Sequence, residues 1–435
     1  MKLRPFELVL VVVFGVLMFV ALILLRTYQP PPDQNVTQVG VVSIWGDVPA
    51  ETFDSVLRKI RETDSGFNSV SYKYVPPEDF DAAFVNALAD QKSPDLLFMS
   101  QERLVKHRSR LQPLSYDTFP LRDFRSAYID GAEVFALADG LYGVPVAVDP
   151  LVLFWNRDIF ARSGLIVAPR TWEEVVANTV PTLTIRDFSR NIKTAGIAMG
   201  EYRNIKNAFP IISLLSIQGG SSLVTEAQGT YQVGLNQMPG QAAAAQPFTN
   251  AAAFFTNFSN TANTLYSWNR ALRLDRDMFL SEDLAMYFGF ASEGRDLASK
   301  NPNLSFDIAE VPQGETASVR RTYGKFYALI IPKASANKNG AFTVLLRLSA
   351  SEQAKQISDG LNFAPVSRSL LINGSNDVYG RVAYTSAPYA RGWLNPDTTV
   401  FGNILMQMLD DINANRRDIG SAANDAVNRT QQAFY

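Results

Sequence analysis

From residue 39 to residue 99 the sequence switches repeatedly between two hydrophobic periods, and that alternation limits the available folds more than any other feature. VGVVSIWG (39–46) is short, apolar and β-branched, the pattern of a strand buried on both faces. Phe53, Val56, Leu57 and Ile60 then recur at helical spacing. VSYKYV (70–75) alternates as a second strand, Phe80, Phe84, Val85 and Leu88 mark a second amphipathic helix, and PDLLFM (94–99) reads as a third buried strand. Strands separated by helices pair in parallel through right-handed crossovers, which predicts an α/β lobe. Ligands on such sheets sit beyond the carboxyl ends of the strands. Those ends carry Trp45, Gly46 and Asp47 after the first strand, and Ser100 and Gln101 after the third.

The stretch DGLYGVPVAVDPLVLFWNRDIF (139–160) adds a second constraint. Asp149 interrupts an apolar and aromatic run and is followed at once by Pro150. A charge buried without a partner is costly. Either the chain turns there and the carboxylate caps the turn, or the carboxylate faces a space where it finds a partner. LYGVPVAV is strand-like and FWNRDIFARSGL turns helical, so Asp149 and Pro150 are expected at a change of direction between lobes. Thr171 followed by Glu174 is a capping box. GIAMGEYRNIKNAFPIISLLSIQGG predicts a strand, a loop and a buried helix that stops at Gly219 and Gly220. A polar, Ala-rich segment (225–250) precedes a helix in AAAFFTNFSN. ALIIPKAS is again a strand, AFTVLLRLSASEQAKQI is helical, and the tail from 403 reads as two helices. At 435 residues the chain exceeds the size at which one core keeps growing, so two domains are expected.

Composition removes several chemistries. There is no Cys, which excludes disulfides, zinc–thiolate and iron–sulfur sites and a cysteine nucleophile. A net charge of −2, with basic residues scattered apart from Lys106, Arg108 and Arg110, leaves no footprint for nucleic acid. His107 is the only histidine, and KHRSR reads as an exposed basic loop, so a Ser-His-Asp triad is not expected. No P-loop, GxGxxG or HExxH motif is present. No cofactor or metal is expected, and the chain reads as a non-enzyme. Asp and Glu are plentiful enough to leave a carboxylate-based glycosidase as an alternative.

The N-terminus carries Lys2 and Arg4 before a nearly continuous apolar run at residues 6–25. Twenty helical residues span roughly 30 Å, the thickness of the hydrocarbon core. The run is longer than a signal-peptide core, and ALILLRTYQPPP has no small-x-small cleavage site, which favours a transmembrane signal anchor over a cleaved signal. The two cations put the N-terminus inside and the rest of the chain outside the cytoplasm. Residues 27–39 form a Pro-rich tether. A single-pass protein of the cell membrane is expected.

Five stretches, in order, resemble the extracellular solute-binding proteins of ABC importers, the family that includes maltose-binding protein. They are the strand ending in WG; SPDLLFMS; DGLYGVPVAVDPLVLFWNRDIFARSGL followed by PRTWEEV; YSWNRALRLDRDMFLSEDLAMYFG; and DIAEVPQGETASVRRTYGKFYALIIPKAS. Together they cover nearly everything after residue 40. The resemblance implies an α/β, two-lobe periplasmic-binding-protein fold with discontinuous domains. One lobe would hold 40–149 and 310–358, the other 150–309 and 359–435, with three crossings between them. VPVAVD would be the first hinge strand, with Asp149 open to the cleft or capping the turn beside Pro150.

By family position the implied ligand contacts are Trp45, Asp47, Ser100, Gln101 and Asp149. Glu201, Tyr202 and Arg203, then Trp268, Tyr323, Lys325 and Trp393, complete the set. Trp155 and Trp172 are assigned to lobe core, whereas Trp268 and Trp393 stay open between cleft and packing. Glu201 and Arg203 have an alternative reading as a surface ion pair. Inward-facing Arg203 and Lys325 would favour an acidic or phosphorylated ligand; the aromatics favour a sugar or oligosaccharide. The implied partners are that small solute and ABC permease subunits, with the membrane reached through the N-terminal helix. A membrane-tethered sensor or adhesion protein on the same scaffold is the remaining alternative.

Overall fold

The computed structural model describes residues 39–240 and 245–435. Strands β1 (Val42–Gly46), β2 (Val70–Tyr74) and β3 (Leu96–Ser100) pair in parallel in the order β2-β1-β3, as the alternation predicts. Helix α1 (Ala50–Thr63) buries Phe53, Val56, Leu57 and Ile60 against them. Helix α2 (Phe80–Ala89) buries Phe80, Phe84 and Ala87 instead of the expected Val85, which is 40% exposed. Val85 follows the buried Phe84 directly and so lies about 100° around the helix from it.

The chain does not turn at Asp149. Strand β4 (Val144–Asn156) runs straight through it for 13 residues, every one buried. Two antiparallel partner sets divide this strand. Its first part pairs with β8 (Thr322–Ile330), in register Lys325 opposite Asp149 and Gly324 opposite Pro150. Its second part pairs with β6 (Leu284–Phe290) from Leu151 onward, and with β7 (Phe306–Ala309) from Leu153 onward. Pro150 therefore stands where one ladder ends and the next begins, the place in a central strand where a missing N–H costs least. Strand β5 (Ile192–Ile197) extends the second part in parallel with β6, within a sheet of 11 strands that both halves of the molecule share.

The second half is closed by helices. Residues Ala208–Gln218 form α3, which is apolar all round and correspondingly buried on nearly every side. The segment read as merely polar contains a hairpin, Leu223–Ala227 against Thr230–Gly234. Its two turn residues, Gln228 and Gly229, both have positive φ, as a tight primed turn requires. Helices α4 (Pro247–Thr256), α5 (Glu293–Lys300), α6 (Thr398–Asn413) and α7 (Ile419–Gln432) follow, with α6 and α7 packed on one another and on α4. Asp397 and Asp418 cap α6 and α7 through backbone N–H groups of their first turns. At Thr171 only half of the expected capping box forms. Its hydroxyl accepts from Glu174 N, while the Glu174 carboxylate takes the Arg170 N–H one residue too early. Among the described residues no helix is long and apolar enough to cross a membrane. The span expected at residues 6–25 lies outside the described residues.

Candidate functional site

The carboxyl ends of β1 and β3 meet β4 and β8 at the point where β4 changes partners. Lys325 stands at the middle of this meeting. Its ammonium lies 3.4 Å from Glu102, its strand partner is Asp149, and it sits 4.7 Å above the Phe290 ring. Burial would lower its pKa, but the charges of Glu102, Asp149 and Asp47 outweigh that and raise it. The Tyr323 hydroxyl donates to Glu102 at 2.5 Å. Glu102 was not among the sequence candidates, although it directly follows Ser100 and Gln101. The signal was available, since a carboxylate two residues past a strand's carboxyl end is a site position of the same kind.

Gln101 is fully buried and ties two strands together. It accepts from Phe326 N at 2.6 Å and donates to Gly324 O at 3.3 Å. Both of its bonds are to backbone, so it braces the site wall. Ser100 is buried beside it at the end of β3. Asp47 Oδ2 accepts from Arg103 at 3.3 Å, while its Oδ1 is buried with no partner among the described residues. Burial pushes the Asp47 pKa up against the pull of Arg103 and Lys325. Asp149 is 4% exposed and accepts from the Ser292 hydroxyl at 2.6 Å and the Ser292 N–H at 3.2 Å. Burial raises its pKa to about 7 despite those two bonds. Asp149 thus reaches across to the start of α5 and does not cap the turn beside Pro150.

From the other half, Tyr202 faces this cluster. Burial, with the negative charge of Glu102 second, raises its pKa to about 12. Its hydroxyl packs against Gly402, where a β-carbon would come within 2.7 Å of it. An aromatic seam continues from there. Phe209 lies 5.6 Å from Tyr323, 6.0 Å from Trp393 and 5.6 Å from Phe401. Trp393 is 3% exposed and its indole N–H donates to Ser213 at 3.1 Å. Phe209, Phe290 and Phe401 escaped the sequence reading because an isolated Phe inside an apolar helix or strand looks like any other core residue.

Four candidates lie elsewhere or are engaged differently. Trp268 has no exposed surface and its indole N–H donates to Asn204 at 3.0 Å, which places it in the core of the second half. Trp45 is half-buried with the Lys73 ammonium 4.1 Å over its ring, so one face is already covered. Glu201 and Arg203 do not pair with each other. Arg203 is exposed and bonds Asp410 at 2.7 Å, whereas the buried Glu201 takes Arg270 at 3.4 Å. With Arg203 turned to Asp410, only Lys325 of the two cations faces the cluster. Trp155 and Trp172 are core residues, as expected.

The segment KHRSR is not the exposed loop the sequence suggested. His107 is fully buried with Nε2 2.9 Å from Asp81, which also takes Arg103 at 2.6 Å and Lys106 at 2.8 Å. Burial alone would raise the Asp81 pKa, but the hydrogen bonds from His107 and Lys106 and the charge of Arg103 hold it well below the usual carboxylate range. Lys106 also reaches Asp397, at the head of α6, at 2.5 Å. Arg108 is 14% exposed and bonds Asp139 and Tyr142 on its own side, and Glu226 and Tyr231 on the hairpin. Lys106 and Arg108 therefore bridge the two halves.

Two α/β halves sharing long strands, with a charged and aromatic seam between them, have the two-lobe architecture of the periplasmic binding proteins. The chain belongs to the bacterial extracellular solute-binding proteins, whose family pattern matches residues 49–354. A binding protein of Brucella abortus (strain 2308) is 20% identical over 318 residues, 72% of each chain. The cyclic α-maltosyl-1,6-maltose binding protein from Arthrobacter globiformis superposes with a TM-score of 0.73 at 15% identity, over 91% of this chain and 99% of that one. An ABC transporter solute-binding protein from Thermotoga lettingae, bound with α-D-tagatose, superposes with a TM-score of 0.67 at 18% identity, over 91% of this chain and 100% of that one.

Proposed function

We propose that this chain is an extracytoplasmic binding protein that closes its two lobes on a sugar or oligosaccharide and delivers it to an ABC permease. The observation that carries this reading is the convergence of Asp47, Glu102, Asp149, Tyr323 and Lys325 at the partner switch of β4, with Tyr202 facing them from the opposite half. Hydroxyl-rich ligands suit such a set, because each hydroxyl both donates and accepts, and aromatic edges cover the C–H faces of the ring. The binding of a cyclic maltosyl sugar and of tagatose by proteins of this architecture supports the same ligand class.

In this reading the lobes are 40–149 with 310–358, and 150–309 with 359–435, joined by three crossings. Asp47, Ser100, Gln101, Asp149, Tyr202, Tyr323, Lys325 and Trp393 form or support the cleft. The apolar run at residues 6–25 anchors the protein to the membrane, and the tether keeps it within reach of the permease. Ligand shifts the open–closed balance only by its differential affinity for the two forms.

The test is thermal unfolding of the full chain in mild detergent against sugars, oligosaccharides, polyols, sugar phosphates and amino acids. A ligand at 100 times its Kd adds about 2.7 kcal/mol to the native state, enough for a shift of several degrees. A sugar that stabilises the protein and is recovered unchanged supports the proposal. Stabilisation by amino acids alone, or release of a cleaved glycan, overturns it.

A further inference from the structure

Residues 392–397 thread between the two halves of the molecule. A β-carbon at Gly392 would meet Gln101 Nε2 of the first half at 2.7 Å. The Trp393 indole is bonded to Ser213 of the second half, and the Asp397 carboxylate to Lys106 of the first. Between them lies Asn395, with no exposed surface. Neither its Oδ1 nor its Nδ2 has a hydrogen-bond partner among the described residues. A primary amide presents two donors and an acceptor with two lone pairs, and leaving them all unmet in a dry seam is one of the costlier arrangements in a folded protein. Its neighbours hold it there. Pro396 restricts Asn395 to extended backbone, and Asp397 is fixed by bonds to Thr399 N and Val400 N.

We infer that Asn395 is a ligand-reading residue whose amide pairs with two adjacent hydroxyls of the bound solute, one donating to Oδ1 and the other accepting from Nδ2. The inference rests on the sugar-binding reading and extends it to a residue and a chemical class: a sugar or polyol with a vicinal diol. Asp47 Oδ1, on the residue whose other oxygen holds Arg103, is likewise buried with no partner among the described residues, and it takes a further hydroxyl. The two groups share a consequence. Closing the lobes without ligand strips water from both and replaces it with nothing, so the empty protein is held open by the same atoms that recognise the ligand.

Because the chain has no Cys, two introduced cysteines can be spin-labelled without background. Asn86→Cys and Thr261→Cys occupy exposed positions, one in each half. Pulsed electron resonance then reads the distance between lobes in the full chain. The parent is expected to be open when empty and closed with the probe that binds it, maltotetraose or α-D-tagatose. Asn395→Leu, close in volume and without polar atoms, is expected to shift the empty protein toward the short distance and to weaken sugar binding about tenfold or more. Asn395→Ala gives the same two readouts should the leucine variant not fold. An unchanged distance distribution in the empty variants overturns the inference, as does unchanged affinity for a sugar that closes the parent. If neither probe closes the parent, the sugar reading is what fails, while the distances in the empty variants still decide whether Asn395 holds the lobes apart.

Discussion

The Ser292 hydroxyl donates to Asp149 at 2.6 Å, joining the strand shared by both halves to the residue that precedes helix α5 in the second half. Lys325 faces the same carboxylate from the neighbouring strand, and Glu293 adds a repulsive charge. With burial as the largest influence, Asp149 titrates near 7. A carboxyl whose folded pKa lies above its unfolded value keeps its proton longer in the folded state, so the associated stability is complete at low pH and fades as pH rises toward 7. Urea unfolding at pH 5 and pH 8 is expected to show higher stability at pH 5. Asp275, which burial also raises to about 7, contributes in the same direction. Asp149→Asn is therefore expected to reduce this pH dependence. The same slope in the variant would mean that Asp149 is ionised throughout.

Trp268 and Tyr202 separate core from cleft. Trp268→Phe removes the indole N–H that satisfies Asn204 Oδ1 within a fully buried site. It is expected to cost about 1–3 kcal/mol of stability and leave ligand affinity unchanged. Tyr202→Phe deletes a half-buried hydroxyl that faces Glu102 across the seam, and is expected to weaken sugar binding about fivefold or more with little loss of stability. Calorimetric titration and thermal unfolding of both variants check the contrast. A Trp268→Phe protein of normal stability and poor affinity would return Trp268 to the cleft.

Arg108 is the principal charged contact between the 106–110 segment and the hairpin, with Glu226 at 3.1 Å and Tyr231 at 2.9 Å. Under the proposed hinge closure, opening the lobes would break these bonds. Arg108→Ala is expected to weaken ligand binding by roughly 1–2 kcal/mol, read as faster ligand release with an almost unchanged association rate. It should also lower the salt sensitivity of the release rate. Stopped-flow release measured at two salt concentrations checks both statements.

The parts of this molecule governed by period were legible in the sequence, and the parts governed by partners were not. Phe53, Val56, Leu57 and Ile60 announce α1 because burial of one helix face leaves a regular trace. Asp149 was correctly singled out as a charge needing a partner, but Ser292 is 143 positions away, and only the tertiary fold joins them. The same limit explains His107. Its basic neighbours resemble a solvated loop until Asp81 is brought beneath them. The hairpin at 223–234 was missed for a different reason, because its turn residues are Gln228 and Gly229 in place of the stronger Asn-Gly or Asp-Gly pair. Asn395 leaves no trace at all, since an Asn before a Pro reads as a surface turn.

Lys325 balances three carboxylates, and that balance yields the sharpest test of the cluster. Its ammonium is the cation that Glu102 contacts, and its charge also stabilises ionised Asp47 and Asp149. Replacing it by Met keeps much of the packing over Phe290 but leaves Glu102, Asp47 and Asp149 with less compensation. Breaking a buried pair by removing one partner costs about 3 kcal/mol or more, because the surviving charge stays desolvated. Lys325→Met is therefore expected to be strongly destabilised at pH 8. It should recover a large part of the loss at pH 5, where Asp149 takes up a proton and one negative charge disappears. Adding Glu102→Gln should restore stability at pH 8 as well, since the amide keeps a hydrogen-bond acceptor for Tyr323 without the charge. Chemical denaturation of the two variants at both pH values checks these expectations. Equal losses at pH 5 and pH 8 would show that Lys325 acts through packing alone.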